Sequence, residues 1–187
     1  MSTAPLQQAI AATRGVLANI TADQMQNATP CDSWDVAGVI NHVVGAQHFF
    51  VAGMKGQPPA GGDTNWAEVD FVTAFDEAAA AVVACFAEEG ALQKMVTMPF
   101  GEMPGAAVMG LAMTDTFTHG WDIAKATGQS TDLAPELAAG ILAQARQMIQ
   151  PGFRADVDGA GPFLAEQACA DGACNADQLA AFLGRTV

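Results

Sequence analysis

Positive charge is scarce in this chain: seven Lys and Arg stand against twenty Asp and Glu among 187 residues, for a formal net charge of −13. Such a surface repels phosphate backbones and anionic lipid headgroups, and no stretch is basic enough to offset it. Neither nucleic acid nor a membrane is an expected partner. Apolar residues make up 51% of the chain. They nowhere run unbroken for the roughly 18 residues of a membrane span. The stretch from Met1 to Arg14 lacks the basic start and apolar block of a secretory signal and reads as the opening of a helix. A cytoplasmic location is expected. In that setting the four cysteines, Cys31, Cys85, Cys169 and Cys174, are not expected to form structural disulfides. Cys85 shares helical spacing with Phe75, Ala78 and Val82 and reads as core. Cys169 and Cys174 have a poor spacing for zinc and no second pair, and read as two loop thiols without a role.

What is present is helical. A first segment spans Ala4 to Ile20, with Pro5 in the first turn and Leu6, Ile10, Leu17 and Ile20 on one stripe. Asp35 reads as the N-cap of a second, Val36 to Lys55, whose apolar positions cover most of its circumference and place it centrally. Gln57 to Asn65 is a loop by its Pro and Gly content. An Ala-rich third helix runs from Val69 to Glu89 and is closed by Gly90. Met95 to Thr97 reads as extended. A fourth helix spans Ala106 to Thr127, a fifth Ala134 to Ile149, and a short sixth Ala176 to Leu183. The expected architecture is all-α. Residues 1–150 form a helical bundle, and residues 151–187 form a loop-rich tail whose short helix packs on it. The small residues of the third helix suit either packing within the monomer or a homodimer.

Chemistry concentrates on few residues. The chain has three histidines, His42, His48 and His119. In the fourth helix Asp115 and His119 stand four apart, about 40° from one another around the axis, so their side chains share a face. His42, on the second helix, is placed to add a third ligand from across the bundle. His48 is turned about 120° from His42 and does not join easily. Two imidazoles and a carboxylate suit zinc, nickel, iron or manganese, and three protein ligands leave a position open for chemistry. The competing possibility is a solvated ion pair, with Phe117, Trp121 and Ala124 as the core face. Asp122 either orients His119 or pairs with Lys125. Trp34 and Trp121 read as core aromatics, Cys31 as a packing residue, and Arg14 and Arg154 as weak candidates for contact with an anionic substrate.

The string Thr29-Pro30-Cys31-Asp32-Ser33-Trp34-Asp35-Val36, followed by Asn41-His42-Val43-Val44-Gly45, resembles the start of proteins related to the N-terminal domain of mycothiol-dependent maleylpyruvate isomerase. Asp115-Thr116-Phe117-Thr118-His119-Gly120-Trp121-Asp122-Ile123-Ala124, with Ala126-Thr127-Gly128, resembles a second block of the same family. Met98-Pro99-Phe100-Gly101 fits the turn between them, and Leu179 to Arg185 the closing helix. The resemblance implies a DinB-like four-helix bundle with a divalent metal at one end. It implies that His42 stands for the family's first ligand, Asp115 for its Glu and His119 for its second His. Aspartate is one methylene shorter than glutamate, which draws the metal toward the helix, inserts a water or weakens binding. The isomerase also carries a further C-terminal domain for which this chain is short, so the likeness is expected to reach the fold and the metal rather than that particular reaction.

Three functional readings follow. The first is a metal-dependent thiol transferase or isomerase, with zinc foremost and nickel next as the metal. Mycothiol would be its cosubstrate and a small-molecule thiol or electrophile its partner, with the Met98–Met103 loop helping to shape the pocket. The second is a non-catalytic metal-binding or small-molecule-binding module. The third is an all-α domain without metal.

Overall fold

The computed structural model describes residues 2–58, 61–157, 161 and 163–187. The fold is mostly helical. Among the described residues the six α-helices are α1 (Ala4–Leu17), α2 (Val36–Lys55), α3 (Phe71–Ala87), α4 (Gly105–Ala126), α5 (Pro135–Met148) and α6 (Asn175–Phe182). Two small sheets interrupt the all-helical expectation. One is an antiparallel hairpin of β1 (Met95–Met98) and β2 (Gly101–Pro104), and the other a parallel pair of β3 (Arg154–Ala155) and β4 (Phe163–Leu164). The extended reading of Met95–Thr97 therefore holds. Its partner strand escaped notice because Gly and Pro obscure any alternation in Gly101–Pro104. Register pairs Met98 with Gly101, leaving Pro99 and Phe100 as a two-residue turn, and Gly101 takes a φ of 135°.

Helix boundaries follow side-chain caps. Asp35 accepts from the Gly38 amide at 2.8 Å and starts α2 where expected, and Gly56 closes it at a φ of 63°. α3 begins two residues later than expected because Asp70 takes the cap, accepting from the Thr73 amide at 3.1 Å. α1 stops before Ile20, since the Asn19 amide side chain donates to the Gly15 carbonyl at 2.7 Å and satisfies an open helix end. Cys174 caps α6, its sulfur accepting from the Asp177 amide at 3.4 Å, so this thiol does have a structural role. None of the four cysteines forms a disulfide among the described residues, and Cys85 lies in the core as expected.

α1 packs on α4 and α3, and α2 on α3 and α4, while α5 and α6 pack together with α6 also against α4. α4 is thus enclosed from several sides, and every residue from Thr116 to Ala124 is buried. Phe117, Trp121 and Ala124, the core-face candidates of the sequence, are buried, and so are His119 and Asp122. α2 has the length and hydropathy of a membrane-crossing helix, with half of that stretch buried inside the protein, where Val39, Ile40, Val43 and Val44 form core. Close approach of α1 to α4 requires Gly120. A Cβ there would lie 3.1 Å from the Thr13 α-carbon and would collide with the Thr13 hydroxyl, which donates to the Thr116 carbonyl at 2.8 Å.

The segment before α2 is held against the end of α4. Asn27 donates to the Ala126 carbonyl at 3.0 Å and Gln24 to the Thr127 carbonyl at 3.1 Å. Within it the Thr29 hydroxyl accepts from the Cys31 amide at 3.1 Å and donates to the Trp34 carbonyl at 2.7 Å. These bonds fix where Trp34 emerges, beside the first turns of α2.

Candidate metal centre

α2 and α4 bring three side chains together. His42 Nε2 lies 3.0 Å from Asp115 Oδ1, and His119 Nε2 lies 3.7 Å from the same oxygen. One ligand atom from each residue falls within 4.8 Å of the others. Two ligands on a tetrahedral zinc at about 2.05 Å stand roughly 3.3 Å apart, which is close to these two separations. The expected trio is the group that the structure assembles, and the shorter Asp115 reaches both imidazoles. His48 stands apart, stacked on Trp66 at 5.2 Å.

The second nitrogen of His119 decides how that ring behaves. Nδ1 sits 2.9 Å from Asp122 Oδ2. With Nδ1 donating to this carboxylate, the Nε2 lone pair faces Asp115 and is free to ligate. Asp122 is fully buried and is clasped by Arg185, from Nε to Oδ1 at 3.3 Å and from Nη2 to Oδ2 at 3.2 Å. Of the two roles open to Asp122 in the sequence, orienting His119 is the one the geometry takes. Arg185, not Lys125, is its cation.

Exposure is graded along this chain of groups. The side chains of His42 and Asp115 are 29% and 25% exposed, that of His119 8%, and that of Asp122 0%. The site therefore opens at His42 and Asp115 and has its floor at Asp122. Trp34 forms one wall, stacked on His42 at 4.6 Å between centroids and tilted against His119 at 5.6 Å. Gly38 makes this possible, because a Cβ there would lie 2.9 Å from the Trp34 Cβ. Trp34 packs against the core, as the sequence implies. It is half-buried and lines the site, and its spacing of eight residues before His42 carries no signal of that contact. Trp121 does belong to the core, with its indole N–H donating to Asp177 at 2.9 Å.

Charges are balanced against burial. Burial alone would lower the His42 pKa, but the hydrogen bond and charge of Asp115, with the charge of Asp122, raise it above 6.5 while Arg185 opposes them. Burial would raise the Asp115 carboxyl; the His42 hydrogen bond and the charges of His119, His42 and Arg185 hold it below 3.8. Burial pushes the Asp122 carboxyl up likewise, and His119 and Arg185 bring it below its ordinary value.

The donor set fits a divalent cation by its own chemistry. Asp115 Oδ2 is buried without a hydrogen-bond partner among the described residues. A buried carboxylate oxygen in that state is costly, and a cation bound by this carboxylate would offset that cost. Two imidazoles and one carboxylate are ligands that zinc and nickel accept.

Other expectations are corrected. Arg14 is bound to Asp76 at 3.2 Å, tying α1 to α3. Arg154 donates to the Leu164 and Phe182 carbonyls at 2.6 and 2.9 Å and lies over the Phe182 ring, so both arginines serve the fold. The hairpin does not line the site. Met98 seats on Gly53, about 16 Å along α2 from His42 at 1.5 Å per residue.

No solved structure matches this chain. Two uncharacterized proteins of Mycobacterium tuberculosis, from strains CDC 1551/Oshkosh and ATCC 25618/H37Rv, are each 45% identical to it over 184 residues, covering 97% of this chain and 96% of theirs. Residues 6–124, which include all three converging side chains and Asp122, match the profile described as the mycothiol maleylpyruvate isomerase N-terminal domain. With more than half of its length under that profile, the chain belongs to the mycothiol maleylpyruvate isomerase N-terminal domain family.

Proposed function

We propose that the protein binds one divalent metal, zinc before nickel, through His42, Asp115 and His119, and uses it to activate a small-molecule thiol of the mycothiol type for transfer or isomerisation. The observation that supports this most is the convergence of His42 Nε2 and His119 Nε2 on Asp115 Oδ1, in a carboxylate whose other oxygen is buried without a hydrogen-bond partner among the described residues. We read α1 to α4 as the DinB-like four-helix bundle of this family, in the cytoplasm, where thiols stay reduced.

Each residue has a task. His42 and Asp115 face solvent and admit the thiol. His119 is held from behind by Asp122, and its ring is preorganised for ligation. Trp34 walls the site and keeps bulk water from one side. A cation held by His42, Asp115 and His119 would supply Lewis acidity, which would favour the thiolate form of a thiol near neutral pH. No carboxylate or imidazole other than these belongs to the converging group among the described residues, so the thiol proton leaves to solvent.

The test is consumption of mycothiol with an electrophile by zinc-loaded protein. The reading requires turnover that depends on metal and is lost in His119→Ala. Stoichiometric metal with no turnover would instead make the protein a binding module.

A further inference from the structure

We propose that Arg185 is a positioning residue for this site, so that the C-terminal segment completes a centre whose ligands all come from α2 and α4. The inference rests on the metal reading above. Asp122 has no exposure, and a buried carboxylate is tolerated only when paired and hydrogen-bonded. His119 Nδ1 occupies one side of it at 2.9 Å, and a single hydrogen bond leaves a carboxylate free to turn about its own axis. The Arg185 fork, at 3.3 and 3.2 Å, touches both oxygens and fixes the carboxylate plane. That plane sets the His119 ring, and the ring aims Nε2 at Asp115 and His42.

Arg185 is itself placed by the end of α6. Gly184 has a φ of 98° and no room for a side chain against Leu164. The chain turns there, and the Arg185 amide donates to the Ala180 carbonyl at 2.9 Å. Nη1 lies 3.4 Å from the Leu183 carbonyl, and the side chain is 13% exposed. The family profile stops at residue 124, so this arginine stands outside the matched region that holds every ligand.

Cobalt(II) is the probe, read by its visible absorption and by competition with a chelator, in Arg185→Gln, Arg185→Lys and Arg154→Gln beside wild type. Loss of a group that holds a ligand weakens metal binding by roughly 10–100-fold, and Arg185→Gln is expected to reach about tenfold and to shift the cobalt bands. Arg185→Lys keeps the charge without the fork. It is expected to bind between wild type and the glutamine variant with shifted bands, and it carries the test if the latter does not fold. Arg154→Gln loosens the same segment without touching Asp122 and is expected to leave affinity and spectrum unchanged. Wild-type affinity and bands in both Arg185 variants would overturn the proposal. So would an equal loss in Arg154→Gln, which would mean that docking of the segment matters and Arg185 itself does not. Failure of wild type to take up cobalt would instead overturn the metal site.

Discussion

The two nitrogens of His119 have separate duties, and the pair Asp115 and Asp122 on either side of the ring assigns them. Asp122 holds Nδ1 and Asp115 faces Nε2. His42 has the reverse problem, because without metal its Nε2 is engaged with Asp115, which raises its pKa above 6.5. A metal must displace that proton. Affinity is therefore expected to rise with pH from below 6.5 until the pH passes the raised His42 value, and then to level off; chelator competition from about pH 5.5 to about pH 9, which brackets imidazole titration, reads this directly. A pH-independent affinity over that range would show that His42 is not a ligand. In the metal-free protein the sign runs the other way. The His42–Asp115 pair contributes stability that is complete below the unfolded His42 value of 6.5 and fades as pH rises through the higher folded value. Asp115 and Asp122, depressed on folding, contribute above 3.8 and lose that contribution as pH falls through their lowered values.

At the scale of elements, the site depends on two glycines that let other groups approach. Gly38 admits Trp34 against His42, and Gly120 admits α1 against α4 beside His119. Alanine at position 120 gains roughly 1 kcal/mol of helix propensity and loses roughly 1–3 kcal/mol to overpacking against Thr13. Gly120→Ala is expected to destabilise the fold. Gly140→Ala, on an exposed face of α5 with nothing near its Cβ, is expected to stabilise it by roughly 1 kcal/mol. Urea unfolding of the two variants gives the comparison, and stabilisation by Gly120→Ala would refute the packing account. The helices themselves were legible because caps such as Asp35 are local signals. The register of Asp115 and His119 on one face was legible for the same reason. Trp34 was not, because its stacking on His42 depends on the fold of residues 24–35 against the end of α4, a long-range matter that periodicity does not encode.

Across the whole molecule, an acidic surface with a net charge of −13 surrounds a group of donors that could hold a cation, and the field of that surface favours cation approach. Three of the chain's seven basic residues are spent on structure. Arg14 joins helices, Arg154 secures the C-terminal segment, and Arg185 carries its charge to Asp122. A buried aspartate on α4 demands a cation, but nothing in the sequence says that residue 185 supplies it across 63 positions. Helix pairing shares that limit, since which faces of α4 are covered depends on α1, α2 and α6 together. The most direct test of the account is the metal content of the untagged protein, wild type beside His119→Ala, by mass spectrometry. The account predicts about one zinc or nickel ion per wild-type chain, as three convergent ligands with an open position imply, and none in the variant. Wild-type protein that retains no metal after zinc or nickel is supplied and the excess removed would contradict it.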